Sequence, residues 1–292
     1  MQAALHPVSE QFITDSVSRA FLKGGLPVLV VRNSFADAII SLFGAQLLSY
    51  RPCGGSEWLW VSNLARLDQT CPIRGGIPIC WPWFGRNPKL SGAPAHGFAR
   101  TQLWQLDAVS DTSRGTTLSL FLSDDDVSPD YWPFAFELQL DVTIGHQLEL
   151  SLTGHNCDHH PWRFSTALHS YFNVGDVSKT TVYGVGGRYR DKLNGQSVID
   201  TGPLQVSPPL DRIYPGAAPQ VVMAAAQHSI LLDQAGMDSV VVWHPGTRLP
   251  KDMDATTSGS MLCVETAALG SEGITLAPGK AHQLKLVVSR QA

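Results

Sequence analysis

The clearest pattern of hydrophobic and polar positions along the chain is an alternation that runs from residue 134 to residue 152. Within this stretch every even-numbered position except His146 is apolar, and the odd-numbered positions are mainly polar or charged. Because successive side chains of a β-strand point to opposite faces, this alternation predicts two half-buried strands. Its phase continues through Gly145-His146, which we expect to be the turn of a hairpin.

Shorter stretches of the same kind recur along the chain, separated by many of its 26 glycines and 19 prolines. They predict further strands at 28–31, 38–43, 116–122, 164–172, 229–232, 239–243, 261–266 and 283–288. Helical periodicity is nearly absent, and at most 15–23 and 63–69 form short helices. Many short strands with turn residues between them predict an all-β, antiparallel sandwich. No linker divides the chain, so we expect a single domain over 1–292, with long surface loops in 184–219.

Composition and charge argue against several classes of protein. The sequence is 43% hydrophobic and 16% charged, as in globular proteins, and no apolar run approaches the ~20 residues of a membrane span. Its net charge of −4 disfavours nucleic-acid binding, which usually needs a basic patch. The start of the chain does not resemble a secretory signal. Five cysteines without a Cys-x-x-Cys pair predict mostly buried, reduced thiols in a cytoplasmic protein.

The charge is unevenly distributed along the chain. No acidic residue occurs between Asp68 and Asp107, a segment rich in glycine and aromatic residues. Its basic residues include Arg74, Arg86, Lys89 and Arg100. Arginine matches the geometry of phosphate and carboxylate groups, and glycine lets the backbone approach a ligand closely. The segment therefore predicts an anion-binding loop, unless its arginines pair with acidic residues elsewhere in the fold.

Two titratable residues occur inside predicted strands, where burial of a polar side chain is costly unless a partner or a function compensates for it. His169 shares its face with Ala167 and Tyr171, and a partly buried histidine on a stiff element suits acid-base chemistry near neutral pH. Glu265 shares its face with Cys263, and removal from water raises the basicity of a carboxylate. On the residues alone, the histidine also fits a core role, and the glutamate also fits as the partner of an arginine.

Other candidate sites have weaker sequence support. Residues 155–160 read HNCDHH but lack regular ligand spacing, so we predict a polar turn there and no metal site. The acidic run 124–126 lacks the spaced oxygen ligands of a calcium loop. The sequence has no Gly-x-Ser-x-Gly motif and no glycine-rich nucleotide fingerprint before a helix. These absences disfavour a serine hydrolase and a nucleotide-binding enzyme.

Several motifs together allow a resemblance to be stated. They read IRGGIPICWPWFG at 73–85, HGFAR at 96–100, ALHSYFNVGD at 167–176, YRDKLNG at 189–195, DRIY at 211–214 and CVET at 263–266. In this order they resemble the glucose-6-phosphate 1-epimerase family, the hexose-6-phosphate mutarotases, which are relatives of galactose mutarotase. The resemblance extends from about residue 44 to the end of the chain.

The resemblance implies a galactose mutarotase-like β-supersandwich and an enzyme without metal or cofactor, which interconverts the α and β anomers of a hexose 6-phosphate. The best candidate substrate is D-glucose 6-phosphate. From the resemblance together with the composition and charge, we expect a cytoplasmic monomer that acts on a small-molecule sugar phosphate and binds neither nucleic acid nor membrane. By motif position, the base is Glu265, the acid is His169, and the substrate-binding residues are Arg74, His96, Arg100 and Asp211. The sequence departs from several relatives at Ala95, where they carry glutamine, so a substrate contact of that amide is absent or replaced.

Anomer interconversion needs one base and one acid, which we expect on opposite sides of the reacting centre. Trp81 or Trp243 could stack on the sugar, or could serve packing alone. Three other functions stay open from the sequence. These are a non-catalytic carbohydrate-binding sandwich, an aldose 1-epimerase for unphosphorylated sugars, and a hydrolase or lyase on a similar fold. Hydrolysis usually requires two carboxylates, and only Glu265 stands out as one.

Overall fold

A computed structural model of the chain describes residues 5–87, 89–126, 131–225 and 229–291. In these ranges the chain is almost entirely β-structure. The strands are β1 (Val8–Phe12), β2 (Val17–Leu22), β3 (Leu26–Arg32), β4 (Ala36–Ser41), β5 (Leu47–Pro52), β6 (Ile79–Cys80), β7 (Gln105–Thr112), β8 (Gly115–Ser123), β9 (Phe136–Gly145), β10 (Leu148–Asn156), β11 (Trp162–Phe164), β12 (Thr166–Leu168), β13 (Tyr171–Asn173), β14 (Thr181–Tyr183), β15 (Arg188–Asp191), β16 (Ser197–Ile199), β17 (Leu204–Gln205), β18 (Leu210–Pro215), β19 (Gln220–Ala224), β20 (Ser229–Ala235), β21 (Ser239–His244), β22 (Met261–Ala268), β23 (Ile274–Leu276) and β24 (Ala281–Arg290). Short 3-10 helices occur at Ala99–Thr101, Asp124–Asp126, Val177–Lys179 and Ser258–Ser260.

The strands form three large antiparallel sheets. Strands β1 to β5 follow one another in a five-stranded sheet. A nine-stranded sheet has the order β17-β14-β19-β20-β24-β10-β9-β8-β7. An eight-stranded sheet has the order β16-β15-β18-β21-β22-β12-β6, with β13 also paired to β22, and β11 pairs with β23 separately. The predicted all-β antiparallel fold is confirmed, and no helix in the described ranges is long and apolar enough to cross a membrane.

The predicted hairpin lies at the centre of the nine-stranded sheet. Ile144 of β9 pairs with Leu148 of β10, so the turn falls at residues 145–147 as expected. The even-numbered apolar side chains of both strands are buried, and they belong to the largest hydrophobic core. Burying one face of each strand fixes the register, since a slip of one residue would bring the polar face into the core.

The eight-stranded sheet has two buried faces with different contents. On β22, Leu262 and Val264 join the main core, whereas Cys263 and Glu265 lie on the opposite face. Strands β12, β13, β18 and β21 contribute the neighbours of Glu265 on this second face. The residues with predicted chemistry therefore occur on the face of the sheet that does not fill the main core.

Several predictions from the sequence are wrong. The segment 15–23 contains strand β2, and 63–69 contains turns and bends without a helix. The segment 164–172 is divided between β11, β12 and β13, and 184–219 contains four strands in place of long loops. All five cysteines are free, but only Cys80 and Cys263 are buried. A strand can be stabilised by pairing with its neighbours even where its own sequence shows little alternation.

Candidate functional site

One small cavity on the second face of the eight-stranded sheet contains most of the predicted site residues. Its volume is about 150 Å³. Its polar lining comprises Arg74, His96, His169, Tyr171, Lys192, Asp211 and Glu265, and its apolar lining includes Phe84, Val241 and Trp243. We call this space the polar cavity. Five of the six residues predicted as catalytic or substrate-binding line it, although they lie up to 191 positions apart, between Arg74 and Glu265.

His169 and Glu265 come together because of strand register. Leu168 pairs with Thr266 and Tyr171 pairs with Cys263, so His169, the first of the two residues between these pairs, falls opposite Glu265. The backbone N–H of His169 donates a hydrogen bond to the Pro78 carbonyl, at 2.9 Å. The side chains meet with His169 Nε2 3.4 Å from Glu265 Oε1. The partner of the glutamate is therefore this histidine, and not an arginine.

Burial gives both side chains unusual proton affinities. Burial raises the pKa of Glu265 well above its usual value, and the nearby Asp211 adds to this, while Lys192 and Arg100 oppose it. Burial lowers the pKa of His169 well below its usual value, with further lowering by His96, Arg100 and Arg74. A carboxylate with a raised pKa is a stronger base, and an imidazolium with a lowered pKa is a stronger acid. Glu265 Oε2 and His169 Nδ1 are buried without a hydrogen-bond partner in the described ranges.

Arg74 enters the polar cavity from the basic segment and is held there by two partners. Its Nε lies 3.2 Å from both carboxylate oxygens of Asp252, and a terminal nitrogen donates to the Tyr171 hydroxyl at 2.9 Å. Burial disfavours the charge, but Tyr171 and Asp252 outweigh it, and the pKa of Arg74 is raised. This guanidinium is thus a fixed positive charge beside the polar cavity.

Arg100 and Ala95 form a second contact of the same segment. A terminal nitrogen of Arg100 donates to the backbone carbonyl of Ala95 at 2.7 Å, and Arg100 Nε is buried without a partner in the described ranges. Arg100 does not line the polar cavity, yet its charge affects the pKa values of His96, His169 and Glu265. Ala95 contacts Arg100 through its backbone carbonyl, and its methyl side chain offers no hydrogen-bonding group.

The other two basic residues of the segment, Arg86 and Lys89, lie elsewhere. They line a separate cleft of about 490 Å³ with Trp83, Trp132 and Arg163. Phe84 lines both spaces. The anion-binding potential of the segment at the polar cavity therefore depends on Arg74 and Arg100.

Lys192 is a site residue that the sequence reasoning did not assign. It follows β15, and its Nζ lies 3.2 Å from Asp211 Oδ2 and 5.6 Å from the centre of the Phe84 ring. Its backbone N–H also donates to the carbonyl of Asp211, which fixes the turn against β18. Asp211 Oδ1 is buried without a partner in the described ranges and can accept a hydrogen bond from a ligand. The motif at 189–195 contained this residue, but no spacing rule connects it to Asp211.

Aromatic rings form one wall of the polar cavity. The Tyr171 ring stacks on the His169 ring at 4.9 Å, and Trp243 meets both rings edge-on. Trp81, the other candidate for sugar stacking, lies in the main core and packs against Phe98 and Phe136. Of the two candidates, Trp243 is therefore the one that can contact a ligand in the polar cavity.

The ionisable groups of the described residues offer no metal site. Within these ranges no three His, Cys, Asp or Glu side chains are placed to hold a metal ion. In the 155–160 segment, the His160 ring meets Asp158 at 3.1 Å, and Asn156 is buried against backbone carbonyls. These hydrogen bonds within the segment and to backbone carbonyls are typical of a polar turn.

Known proteins resemble the chain in sequence and in fold. Residues 27–289 match the family described as aldose 1-epimerase. A protein of Escherichia coli (strain K12) named "Putative glucose-6-phosphate 1-epimerase" is 36% identical over 268 residues, which cover 89% of each chain. The crystal structure of "a putative mutarotase (YeaD)" from Salmonella typhimurium has a TM-score of 0.90 at 33% identity, and covers 97% of this chain and 96% of that one.

The fold extends to more distant structures. A "galactose mutarotase related enzyme" from Lactobacillus acidophilus has a TM-score of 0.71 at 17% identity, and the match covers 91% of this chain and 97% of that one. At this identity the likeness concerns the fold alone. The expected galactose mutarotase-like sandwich is thereby confirmed.

Proposed function

Because the chain belongs to the aldose 1-epimerase family, we propose that it interconverts the α and β anomers of a hexose 6-phosphate, with D-glucose 6-phosphate as the first candidate. The family membership supports the reaction type. The relatives named as glucose-6-phosphate 1-epimerases support the phosphorylated substrate. The observation that carries the assignment of roles is the 3.4 Å contact between His169 Nε2 and Glu265 Oε1 inside a cavity with fixed cations.

The reaction opens the hemiacetal ring at C1. Glu265 removes the proton of the C1 hydroxyl while His169 protonates the ring oxygen, which breaks the bond between C1 and that oxygen. The open-chain aldehyde rotates about C1–C2, and ring closure on the other carbonyl face reverses both proton transfers. Catalysis by the two groups contributes roughly 10²–10⁴-fold each.

Glu265 and His169 are neighbours, whereas we expected the base and the acid on opposite sides of the reacting centre. Their adjacency fits ring opening better. The C1 hydroxyl and the ring oxygen are bonded to the same carbon, so neighbouring groups can reach both. The pair also needs only one proton between its members. Burial of both groups favours that proton on Glu265, and its transfer to His169 gives the carboxylate base and the imidazolium acid that ring opening uses.

The remaining polar groups suit a sugar phosphate. Asp211 offers a free carboxylate oxygen to sugar hydroxyls, and Trp243 offers an aromatic surface. Arg74 and Arg100 supply the positive charge that a phosphate requires, and His96 offers a further hydrogen-bonding group. Binding the phosphate at a distance from C1 would position the reacting atoms against the acid-base pair.

The test is exchange spectroscopy by NMR on glucose, galactose and their 6-phosphates with the full chain. We expect cross-peaks between the anomers of glucose 6-phosphate at enzyme concentrations that leave the free sugars unchanged. Equal rates on glucose and glucose 6-phosphate would instead indicate an aldose 1-epimerase for unphosphorylated sugars. Binding without any exchange would contradict catalysis and support a carbohydrate-binding sandwich.

A further inference from the structure

We propose that Cys80 is a positioning residue that fixes the His96 ring with its proton on Nε2, so that His96 donates a hydrogen bond into the polar cavity. Neither the fold nor the acid-base pair requires a thiol at this place. The contact is nevertheless specific, because Cys80 Sγ lies 3.3 Å from His96 Nδ1. The inference rests on the proposed function only in identifying the acceptor as a sugar oxygen.

Two donors converge on the same ring nitrogen. The backbone N–H of Gly85 points at His96 Nδ1 from 3.4 Å, and an amide N–H can only donate. Cys80 is completely buried and has His96 Nδ1 as its hydrogen-bond partner among the described residues. Burial raises the pKa of the Cys80 thiol, so the thiol keeps its proton and can donate it. Nδ1 is therefore the acceptor, and in the neutral ring the proton resides on Nε2.

The orientation of the His96 ring is also restrained by the backbone. His96 has a φ of +64°, a left-handed conformation that is uncommon for residues other than glycine. Its N–H donates to the Gly85 carbonyl at 2.6 Å, and the Phe84 ring packs edge-on against the imidazole at 4.8 Å. Strained backbone of this kind persists only where surrounding contacts hold it, and it is frequent at functional sites.

The charges that face His96 keep it neutral. Burial lowers the pKa of His96 to about 3, and Arg100, Lys192 and Arg74 contribute. The neighbouring His169 ring is 5.4 Å away. A neutral imidazole with one proton is a donor from one nitrogen and an acceptor at the other, so the thiol and the longer Gly85 amide contact at Nδ1 together set which nitrogen carries the proton toward the ligand.

The consequence concerns the oxygen that His96 meets. The hydrogen bonds of the His96 ring within the described residues are both made at Nδ1, which leaves Nε2 for a ligand in the polar cavity that the residue lines. With the proton on Nε2, His96 donates to a hydroxyl or ring oxygen of the sugar. With the proton on Nδ1, the Nε2 lone pair would repel a ring oxygen, and it could only accept a hydrogen bond from a hydroxyl. Loss of one such hydrogen bond corresponds to about a tenfold loss in kcat/KM.

The experiment measures the tautomer directly, in the full chain without sugar. The samples are labelled with ¹⁵N-histidine and comprise the wild type, Cys80→Ala, Cys80→Ser and Cys263→Ala. A further variant, His96→Gln, identifies the His96 signals by their absence from its spectrum. In the wild type we expect the Nε2 shift of a protonated nitrogen and the Nδ1 shift of an unprotonated one. Cys80→Ala should move a measurable fraction of protons to Nδ1 and lower kcat/KM in proportion to that fraction, up to about tenfold for a complete shift. Cys80→Ser, which retains a donor, should restore the Nε2 proton and most of the activity.

Cys263→Ala is the matched control for the removal of a buried thiol. Its Sγ donates to Met261 Sδ at 3.7 Å, and no hydrogen bond joins it to a histidine of the described residues, so the His96 shifts should stay unchanged. A wild-type proton on Nδ1, or identical tautomers in the wild type and Cys80→Ala, would overturn the proposal. If Cys80→Ala fails to fold, the wild-type spectrum still tests the tautomer, and Cys80→Ser still tests the role of the side chain at this position. A fixed Nε2 tautomer in a protein that exchanges no anomers would leave this inference standing while contradicting the proposed function.

Discussion

His169 and Glu265 face each other across neighbouring strands, with Nε2 and Oε1 3.4 Å apart, although 96 positions separate them in the sequence. Because the same register continues on both sides of the pair, any slip between β22 and its partners would separate them. The strands that hold the pair are buried and hydrogen-bonded along their length. Such a rigid support is what acid-base catalysis requires of its groups.

Replacement of the base should abolish most activity without unfolding the protein. We expect Glu265→Gln to lower the rate of anomer exchange by about 10²–10⁴-fold, because the amide cannot accept the hydroxyl proton. The amide has the shape of the carboxyl and can still contact His169, so circular dichroism should be unchanged. NMR exchange spectroscopy measures the rate.

A partly buried glutamate, Glu57, supplies the control for this change. Glu57 accepts hydrogen bonds from the Ser49 hydroxyl and from the Tyr50 and Leu59 amides, away from the polar cavity. Glu57→Gln should reduce stability and retain the exchange rate. Near-normal exchange by Glu265→Gln would contradict the assignment of the base.

Removal of the Lys192 charge should shift the pH dependence of the reaction. Lys192 lowers the pKa of Glu265, so its loss favours the protonated carboxyl. Its loss also leaves Asp211 unpaired, and this negative charge acts in the same direction. We therefore expect the acidic limb of the kcat/KM profile to move to higher pH in Lys192→Met.

Two variants make the Lys192 result specific. Lys192→Arg retains the positive charge and should keep the limb near its wild-type position. Lys179, which pairs with Asp176 on the surface, serves as the control, and Lys179→Met should leave the profile unchanged. A shift to lower pH in Lys192→Met would show that the lysine does not act on the acid-base pair in this way.

Loss of Arg74 should affect the phosphorylated sugar more than the free sugar. The guanidinium is fixed by Asp252 and Tyr171, and hydrogen bonds to charged groups contribute about 1.5–3 kcal/mol. We expect Arg74→Ala to raise KM for glucose 6-phosphate by about 10–100-fold, with a smaller effect on glucose. Steady-state kinetics on both sugars measure the difference.

An arginine outside the cavity controls for general effects of charge. Arg51 pairs with Asp37 on the surface of the five-stranded sheet, and Arg51→Ala should change neither KM. Equal increases of KM for both sugars in Arg74→Ala would argue against a role of this arginine in phosphate recognition.

Gly97 should tolerate no side chain. Its φ is +73°, and a Cβ would lie 1.9 Å from the Trp81 carbonyl oxygen. Left-handed strain of roughly 1–2 kcal/mol adds to an overpacking cost of about 1–3 kcal/mol, so Gly97→Ala should lower the free energy of unfolding by about 2–5 kcal/mol. Gly92 also has a positive φ but has open space around it, so Gly92→Ala should cost only the strain. Urea denaturation compares the two, and equal losses would contradict the clash.

The strands that could be predicted are those in which one face meets the core and the other meets solvent. In β9 and β10 this contrast appears as alternation, and the predicted hairpin and its turn are confirmed. Strand β2 has a similar burial pattern, but it is only six residues long, and its sequence did not distinguish it from a short helix. The strands within 184–219 have exposed faces and depend on pairing with neighbours such as β21.

The candidate site could be predicted only where the chemistry of a residue conflicts with its local surroundings. Glu265 stands out because a carboxylate in an apolar strand needs an explanation, and His169 stands out for a similar reason. Lys192 and Asp252 lie in polar segments, where charged residues are ordinary. Their positions beside Asp211 and Arg74 follow from tertiary contacts that no local pattern encodes.

The division of β22 into two faces has a consequence for how this protein can change. Substitutions at Leu262 and Val264 would disturb the main core, those at Cys263 would disturb the smaller cluster around Tyr171, and those at Glu265 would act on the ligand. Because all eight residues of this strand are buried, a saturation library along it should tolerate few changes, and only the losses at Glu265 should occur without a loss of stability. Directed evolution toward a new sugar should therefore keep this strand and vary cavity-lining residues of other elements, such as Trp243.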